Sequence, residues 1–287
     1  MRVRVEWGLM RLVYDLHAHS TASDGTLTPA ELVSHAVASG VNVLAITDHD
    51  TTAGFTEALQ AARQNPGFVM VPGIELSVTW NRQTVHIVGL GIDPEHHVLQ
   101  AGLERIMEFR QWRAEEIGRR LENSGIENAY QHAKAFSNGK LISRTHFARH
   151  LVAIGKAKDI RDVFRHYLVA GKPGHVAGEW AALEEAVGWI HGAGGQAVIA
   201  HPARYRMTRT KLRKLIGDFR ECGGEAIEVV SGSHSKDDMY NMARHAADFG
   251  LLASAGSDFH SPEQAWISMG RLPELPTGCT PVWSTWE

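Results

Sequence analysis

The chain repeats one unit: a short apolar run that ends in histidine and acidic residues, followed by an amphipathic helical stretch. Leu12 to Leu16 leads into Asp15-Leu16-His17-Ala18-His19-Ser20, continued by Ser23-Asp24-Gly25. Val43 to Thr47 delivers Asp48-His49-Asp50, and Gln196 to Ala200 delivers His201-Pro202. Ala226 to Val230 ends in Ser231-Gly232-Ser233-His234, and Leu251 to Ala255 in Gly256-Ser257-Asp258-Phe259-His260. Helical stretches separate them: Thr28-Pro29-Ala30-Glu31 reads as a capping box with proline at the first helical position, and Gly40 ends that helix. A second helix is expected from about Thr52 to Gln64. Alternation of this kind with short connections predicts an α/β sheet or barrel, with functional groups at the strand ends.

Between these units lie a strand at Phe68 to Val71 and, past Pro72-Gly73, the alternating run Ile74 to Trp80, which carries the lone Glu75. A polar hairpin at Asn81-Arg82-Gln83 then leads into Thr84 to Leu90, with His86 among apolar neighbours. The character changes near Asp93-Pro94: a long charged helix to about Asn123 precedes shorter helical pieces at about 130–136, 144–154 and 159–167. The expected organisation is a β/α domain formed by residues 12–93 and 179–287, with an all-helical insertion at 94–178 placed as a lid. Residues 1–11 read as an extension ahead of the first strand.

Composition narrows the classes of function. A formal net charge of −3 gives no global pull toward nucleic acid, so an anionic ligand needs a local cationic site or metal. Nothing marks a DNA-binding or membrane-spanning segment, and the two cysteines, Cys222 and Cys279, share no metal or disulfide spacing. These features suggest a cytoplasmic protein. The seventeen histidines stand out. His35, His132, His166, His191 and His245 suit ordinary helical positions, whereas His17, His19, Asp24, His49, Glu75, His86, His201, His234, Asp258 and His260 gather at strand ends. His17 and His19, two apart in an extended segment, point the same way and can reach one ion. Imidazoles mixed with carboxylates and no thiolates suit two or three bridged divalent ions such as Zn2+, Mn2+ or Fe2+.

These motifs resemble those of the polymerase and histidinol phosphatase (PHP) superfamily: Asp15 to Ser20, Ile46-Thr47-Asp48-His49-Asp50, Glu75, Val85-His86-Ile87, Ala200-His201-Pro202 and Gly256 to His260. The resemblance implies a distorted (β/α)7 barrel with a trinuclear centre. It assigns His17, His19, Glu75 and Asp258 to one ion, Glu75, His86 and His201 to a second, and Asp24, His49 and His260 to a third, with Mn2+ the expected metal and Mg2+ an alternative. Where Asp24 stands, many members carry histidine, so the third donor set differs here.

Within the superfamily, Ser23-Asp24-Gly25, Ile142 to Phe147, Gly171 to Gly174 and Ser231 to Ser235 resemble the branch that removes the 3′-phosphate of nucleoside 3′,5′-bisphosphates such as pAp. Related members trim 5′-phosphorylated RNA ends. A small-molecule nucleotide is therefore the expected partner, with short RNA 5′ ends as the alternative. A barrel used only as a metal- or nucleic-acid-binding module is a third reading, opposed by a full set of competent ligands. Arg144, Lys172 and Arg204 are the candidates for the second phosphate, with His146, Ser233 and His234 beside them. His234 is also the candidate acid for the leaving oxygen, and Asp258 counts as catalytic as well as a ligand. Asp15 and Asp48 are expected to orient the adjacent imidazoles. Trp80, Trp180 and Trp189 read as core.

Overall fold

The computed structural model of the chain describes residues 12–137, 141–263 and 268–286; the extension expected over residues 1–11 lies outside these. Seven strands form the wall in the order β1 (Tyr14–Asp15), β2 (Val43–Ile46), β3 (Val69–Trp80), β4 (Gln83–Leu90), β6 (Gln196–Ile199), β7 (Ala226–Ser231) and β8 (Leu252–Gly256). A two-residue strand, β5 (Ala181–Ala182), sits beside β3. The first strand is shorter than expected because the chain turns from β2 toward β8: the Leu16 amide donates to the Ala255 carbonyl at 2.9 Å, and Ala18 bridges Phe259. This contact brings the two ends of the wall together, giving the distorted seven-stranded barrel.

The distortion comes from β4, which runs antiparallel to both β3 and β6. Asn81 and Arg82 both take positive φ, 46° and 60°, the geometry a two-residue hairpin demands. Pro72-Gly73 does not end a strand, as expected, but lies within β3. The strand changes partner there: Ile46 pairs with Pro72, and Gly73 opens the ladder with Leu90. At that crossing a Cβ on Gly73 would stand 3.0 Å from the Ile46 carbonyl oxygen.

Helices α1 (Pro29–Ala38), α2 (Phe55–Ala62), α7 (Leu183–Gly192), α8 (Arg209–Glu221) and α9 (Lys236–Phe249) alternate with the strands. The Thr28 capping box is formed, its hydroxyl accepting from Glu31 N at 3.2 Å and its amide donating to the Glu31 carboxylate at 2.8 Å. Helix α2 starts later than expected, with Gly54 as its N-cap, where a Cβ would stand 2.9 Å from the Asp48 carboxylate.

Between β4 and β5 come α3 (His97–Glu122), α4 (Ala129–Ala135), α5 (Arg144–Ala153) and α6 (Ile160–Val163), then a π-helical turn at Phe164–Leu168 in place of the longer helix expected. Phe147, Leu121, Leu151 and Val163 centre a separate apolar cluster in these helices. The first half of α3 packs elsewhere: Leu99, Leu103 and Ile106 join the barrel core, and Gly102 lies against the Trp189 ring. Among the described residues no helix is long and apolar enough to cross a membrane.

Candidate metal centre

The candidate ligands meet at the mouth of the barrel: His17, His49, His201, Asp258 and His260 follow strands, whereas Glu75 and His86, expected at strand ends, lie within β3 and β4. His17 and His19 alternate with the buried Leu16 and Ala18, so both imidazoles turn inward, and their Nε2 atoms lie 3.1 Å apart. Glu75 stands at the centre, fully buried. Its Oε1 is 2.8 Å from His86 Nδ1 and 3.0 Å from His201 Nε2. Its Oε2 is 2.8 Å from His49 Nδ1, 3.3 Å from His19 Nε2 and 3.4 Å from His17 Nε2. One carboxylate thus touches five imidazoles. Asp258 Oδ1 completes the side near His17 and His19 at 3.6 and 3.3 Å, and Asp24 Oδ1 lies 3.2 Å from His260 Nε2 and 3.8 Å from His49 Nε2.

Four groups of donors have atoms within 4.8 Å of one another: His19, Asp24, His49 and His260; His17, His19 and Glu75; His17, His201 and Asp258; His49, Glu75 and His86. His19 therefore faces the Asp24 side as well as Glu75, a sharing the motifs did not indicate.

The donor chemistry fits divalent cations. Glu75 Oε2, His49 Nδ1 and Asp24 Oδ1 are buried without a hydrogen bond, the first two lying close but outside hydrogen-bonding alignment. Burial pushes the His19 and His86 imidazoles down, to about 3 and about 4, so both present neutral nitrogens. Against the cost of burial, neighbouring imidazoles hold the carboxyl groups of Glu75 and Asp24 well below the usual range, and Arg204 does so for Asp258. His260 moves the other way: although burial opposes it, Asp24 raises it to about 9. The cluster's field favours positive charge, and a bound divalent cation would displace that proton.

Two of the candidate ligands carry backbone strain. His201 and Asp258 take φ of 29° and 57°, each costing on the order of 1–3 kcal/mol in a non-glycine residue. Both are pinned by hydrogen bonds: His201 N donates to Glu228 Oε2 at 2.5 Å, and Asp258 N to the His17 carbonyl at 2.8 Å.

The residues expected to orient imidazoles act otherwise. Asp15 accepts the Ser257 amide at 2.8 Å and touches no imidazole; burial raises its carboxyl to about 6. Asp48 accepts from Ser20 N at 2.8 Å, Ser20 Oγ at 2.6 Å and Ser23 Oγ at 2.5 Å. It clamps the loop that carries Asp24. The imidazole anchor is Glu228, whose Oε1 lies 2.5 Å from His17 Nδ1. Its signal was present in the sequence as the one charged residue inside the apolar run of β7. Glu228→Gln keeps the shape but turns an amide NH2 toward one of two donors, and metal affinity by chelator competition is expected to fall about 10–100-fold. Unchanged affinity would show that Glu228 does not orient His17.

A basic wall faces the candidate ligands. The same cavity is lined by Asp24, His49, His86, His201, Asp258 and His260, and by Arg110, Arg113, Arg144 and Arg204. Asp50 accepts from Arg110, with Nε at 2.7 Å, and the same guanidinium donates to Ser77 Oγ at 2.9 Å. Arg204 pairs with Asp258. Arg113 and Arg144 have no carboxylate partner among the described residues. Arg113 donates from Nε and an η nitrogen to the Val176 carbonyl, at 3.1 and 2.9 Å, and Arg144 covers the Phe164 ring at 5.3 Å. Burial, then Arg144 and Arg110, lowers Arg113 to about 9. Arg110 and Arg113 were hidden in the sequence because they occupy apolar-stripe positions of α3 between Ile106 and Ile117.

Other expected contacts are not brought to this cavity. Lys172 and Ser233 are exposed and absent from its lining. His234 Nδ1 donates to the Val229 carbonyl at 3.1 Å, its Nε2 is buried without a partner, and it too lies off the lining. His146 is buried and its Nδ1 accepts the Ser143 amide at 3.0 Å, a helix-capping contact; Ser143 Oγ in turn donates to Asp24 at 3.1 Å. Trp180, read as core, lines the cavity instead.

Comparison with known families gives a match to the PHP domain over residues 15–177, more than half of the chain. The chain belongs to the PHP family. The family and barrel expected from the motifs are borne out. Among PHP relatives, a 3′,5′-nucleoside bisphosphate phosphatase of Chromobacterium violaceum is 53% identical over 95% of this chain and 96% of its own. A 5′-3′ exoribonuclease of Haemophilus influenzae is 47% identical over 94% and 97%. A solved structure from C. violaceum, described as an amidohydrolase with bound sulfate and no metal, superimposes with a TM-score of 0.91 at 53% identity, covering 94% of each chain. A candidate metal-dependent phosphoesterase of Bifidobacterium adolescentis aligns at 0.79 with 26% identity, over 94% of this chain and 93% of its own. The PHP fold and these donor clusters support divalent metal ions as cofactors.

Proposed function

We propose that this PHP protein removes the 3′-phosphate of nucleoside 3′,5′-bisphosphates, using divalent ions with Mn2+ as the working metal. His17, His19, Asp24, His49, Glu75, His86, His201, Asp258 and His260 are the proposed ligands. One observation carries the choice of a doubly phosphorylated substrate: Arg113 and Arg144 line the ligand cavity without a carboxylate partner. Two guanidiniums that raise each other's energy in a half-buried cleft are stabilised by an anion, and a phosphate fits their donors. A substrate with one phosphate would satisfy either the metal ligands or this pair; a 3′,5′-bisphosphate satisfies both. The C. violaceum phosphatase supports the same reading.

Bound ions supply a water of lowered pKa and neutralise phosphoryl oxygens. The chain's own part is placement. Arg113 and Arg144 hold the 5′-phosphate and so fix the distance from which the 3′-phosphate reaches the ligand cluster. Arg110 is locked by Asp50 and Ser77, which ties α3 to the barrel and adds positive charge to the same wall. Arg204, held by Asp258, stands beside the reacting phosphate.

A second reading, 5′ to 3′ exoribonuclease, is favoured by charge. Residues 94–178 hold fourteen lysines and arginines against nine aspartates and glutamates, while the rest of the chain holds fifteen against twenty-three. Such asymmetry suits a longer polyanion on the helical side of the cavity. The deciding experiment is a Mn2+-supplemented comparison of kcat/KM for pAp, histidinol phosphate and 5′-phosphorylated RNA. The highest value is expected for pAp. RNA above pAp would make the exonuclease reading primary, and predominant histidinol phosphate turnover would remove both.

A further inference from the structure

An aromatic run leads out of the cavity along α3. Trp180, in the lining, is overlain by the Arg110 and Arg113 guanidiniums at 4.9 and 5.2 Å. The Phe109 ring meets it edge-on at 4.9 Å, and Trp112 follows at 5.5 Å from Phe109. Trp112 is 53% exposed, the most exposed of the large apolar side chains in the helical insertion. Chemistry within the cavity does not explain why an indole should face water at this point. Its neighbour Glu115 is occupied by the Gln111 amide at 2.6 Å, and that amide also reaches Tyr130 Oη at 2.7 Å.

We infer that Trp112, with Phe109 behind it, is a stacking platform for the base of a further nucleotide, joined to the one held in the cavity, so that single-stranded oligonucleotides bind along α3. The inference rests on the reading that the cavity takes a 5′-phosphorylated nucleotide. Three observations point to this occupant. The aromatic run begins in the cavity lining and continues without a break to the surface. Summing the two ring separations places Trp112 within about 10 Å of Trp180, a reach that successive bases of a single strand can cover. The insertion that presents it is the basic part of an otherwise acidic chain. A base offers a π face whatever its sequence, so the platform would add affinity without base preference.

The test measures binding of a non-hydrolysable 5′-phosphorylated tetranucleotide, with phosphorothioate linkages, to the metal-loaded protein by fluorescence anisotropy, with pAp turnover followed in parallel. Trp112→Ala is expected to weaken tetranucleotide binding about tenfold, the scale of losing one stacked base, while kcat/KM for pAp stays within about twofold. Trp112→Phe, which keeps a π face, should recover most of the affinity. A loss below about threefold, a loss shared equally by pAp, or failure of phenylalanine to rescue would each overturn the platform. Absence of pAp turnover in the parent protein would instead overturn the phosphatase reading, so the two failures are separable.

Discussion

Replacing Glu75 with glutamine is expected to lower kcat/KM for pAp by about a hundred- to a thousandfold, the size of loss seen when one preorganised electrostatic group leaves an active site. The reason is its position. Both oxygens face imidazoles, His86 and His201 on one and His49, His19 and His17 on the other. Among the described residues no other carboxylate in the cluster touches so many, so Glu75 is the side chain that would serve more than one bound ion. Glutamine preserves volume but presents an NH2 to nitrogens that need an anion opposite them, and it removes the bridging charge. Chelation of the parent enzyme should reproduce the loss, with recovery on adding Mn2+, whereas the variant should recover little. Wild-type rates from the variant at saturating metal would show that Glu75 bridges nothing.

The second large effect separates binding from chemistry. Arg113→Ala and Arg144→Ala are each expected to raise KM for pAp about ten- to hundredfold, the range for a charge-assisted hydrogen-bonding group, with turnover of a generic phosphomonoester nearly unchanged. Neither guanidinium is ion-paired with a carboxylate among the described residues, and the buried Asp24, whose charge favours that of Arg144, keeps its own partner His260 in the variant. Arg113→Ala does strand the Val176 carbonyl, and a Tm measurement on the variant accounts for that. Equal loss on pAp and on the generic ester would contradict the assignment of these residues to the non-reacting phosphate.

How much of this was legible beforehand depended on whether a residue's role was local. Strand ends carrying His17, His19, Asp48, His49, His201, Asp258 and His260 announced themselves because a strand's direction fixes where its last residues point. Glu75 was legible as a lone acid in an alternating run; Glu228 carries a similar signal but escapes sequence reading because its partner lies 211 positions away. Asp15 and Asp48 show the limit: adjacency to a ligand histidine suggests an imidazole partner, yet both carboxylates turn to amides and hydroxyls that shape the loops. The basic wall was the least legible part. Arg110 and Arg113 sit where α3 calls for apolar residues, and only tertiary packing brings that face of α3 into one cavity with the candidate ligands. Motif and charge point to Lys172 and Ser233, but the fold leaves both in solvent. The continuity of β3 through Pro72-Gly73 was likewise invisible, since it depends on exchanging one neighbouring strand for another.

The proposed activity depends on the capacity of the imidazoles and carboxylates at the barrel mouth to hold divalent ions together. Metal content by inductively coupled plasma mass spectrometry, on protein purified from Mn2+-supplemented cultures and on Glu75→Gln prepared alongside, tests this most directly. At least two divalent ions per chain are expected for the parent, with a clear drop in the variant. Less than one ion per chain, or a count indifferent to Glu75, would contradict it.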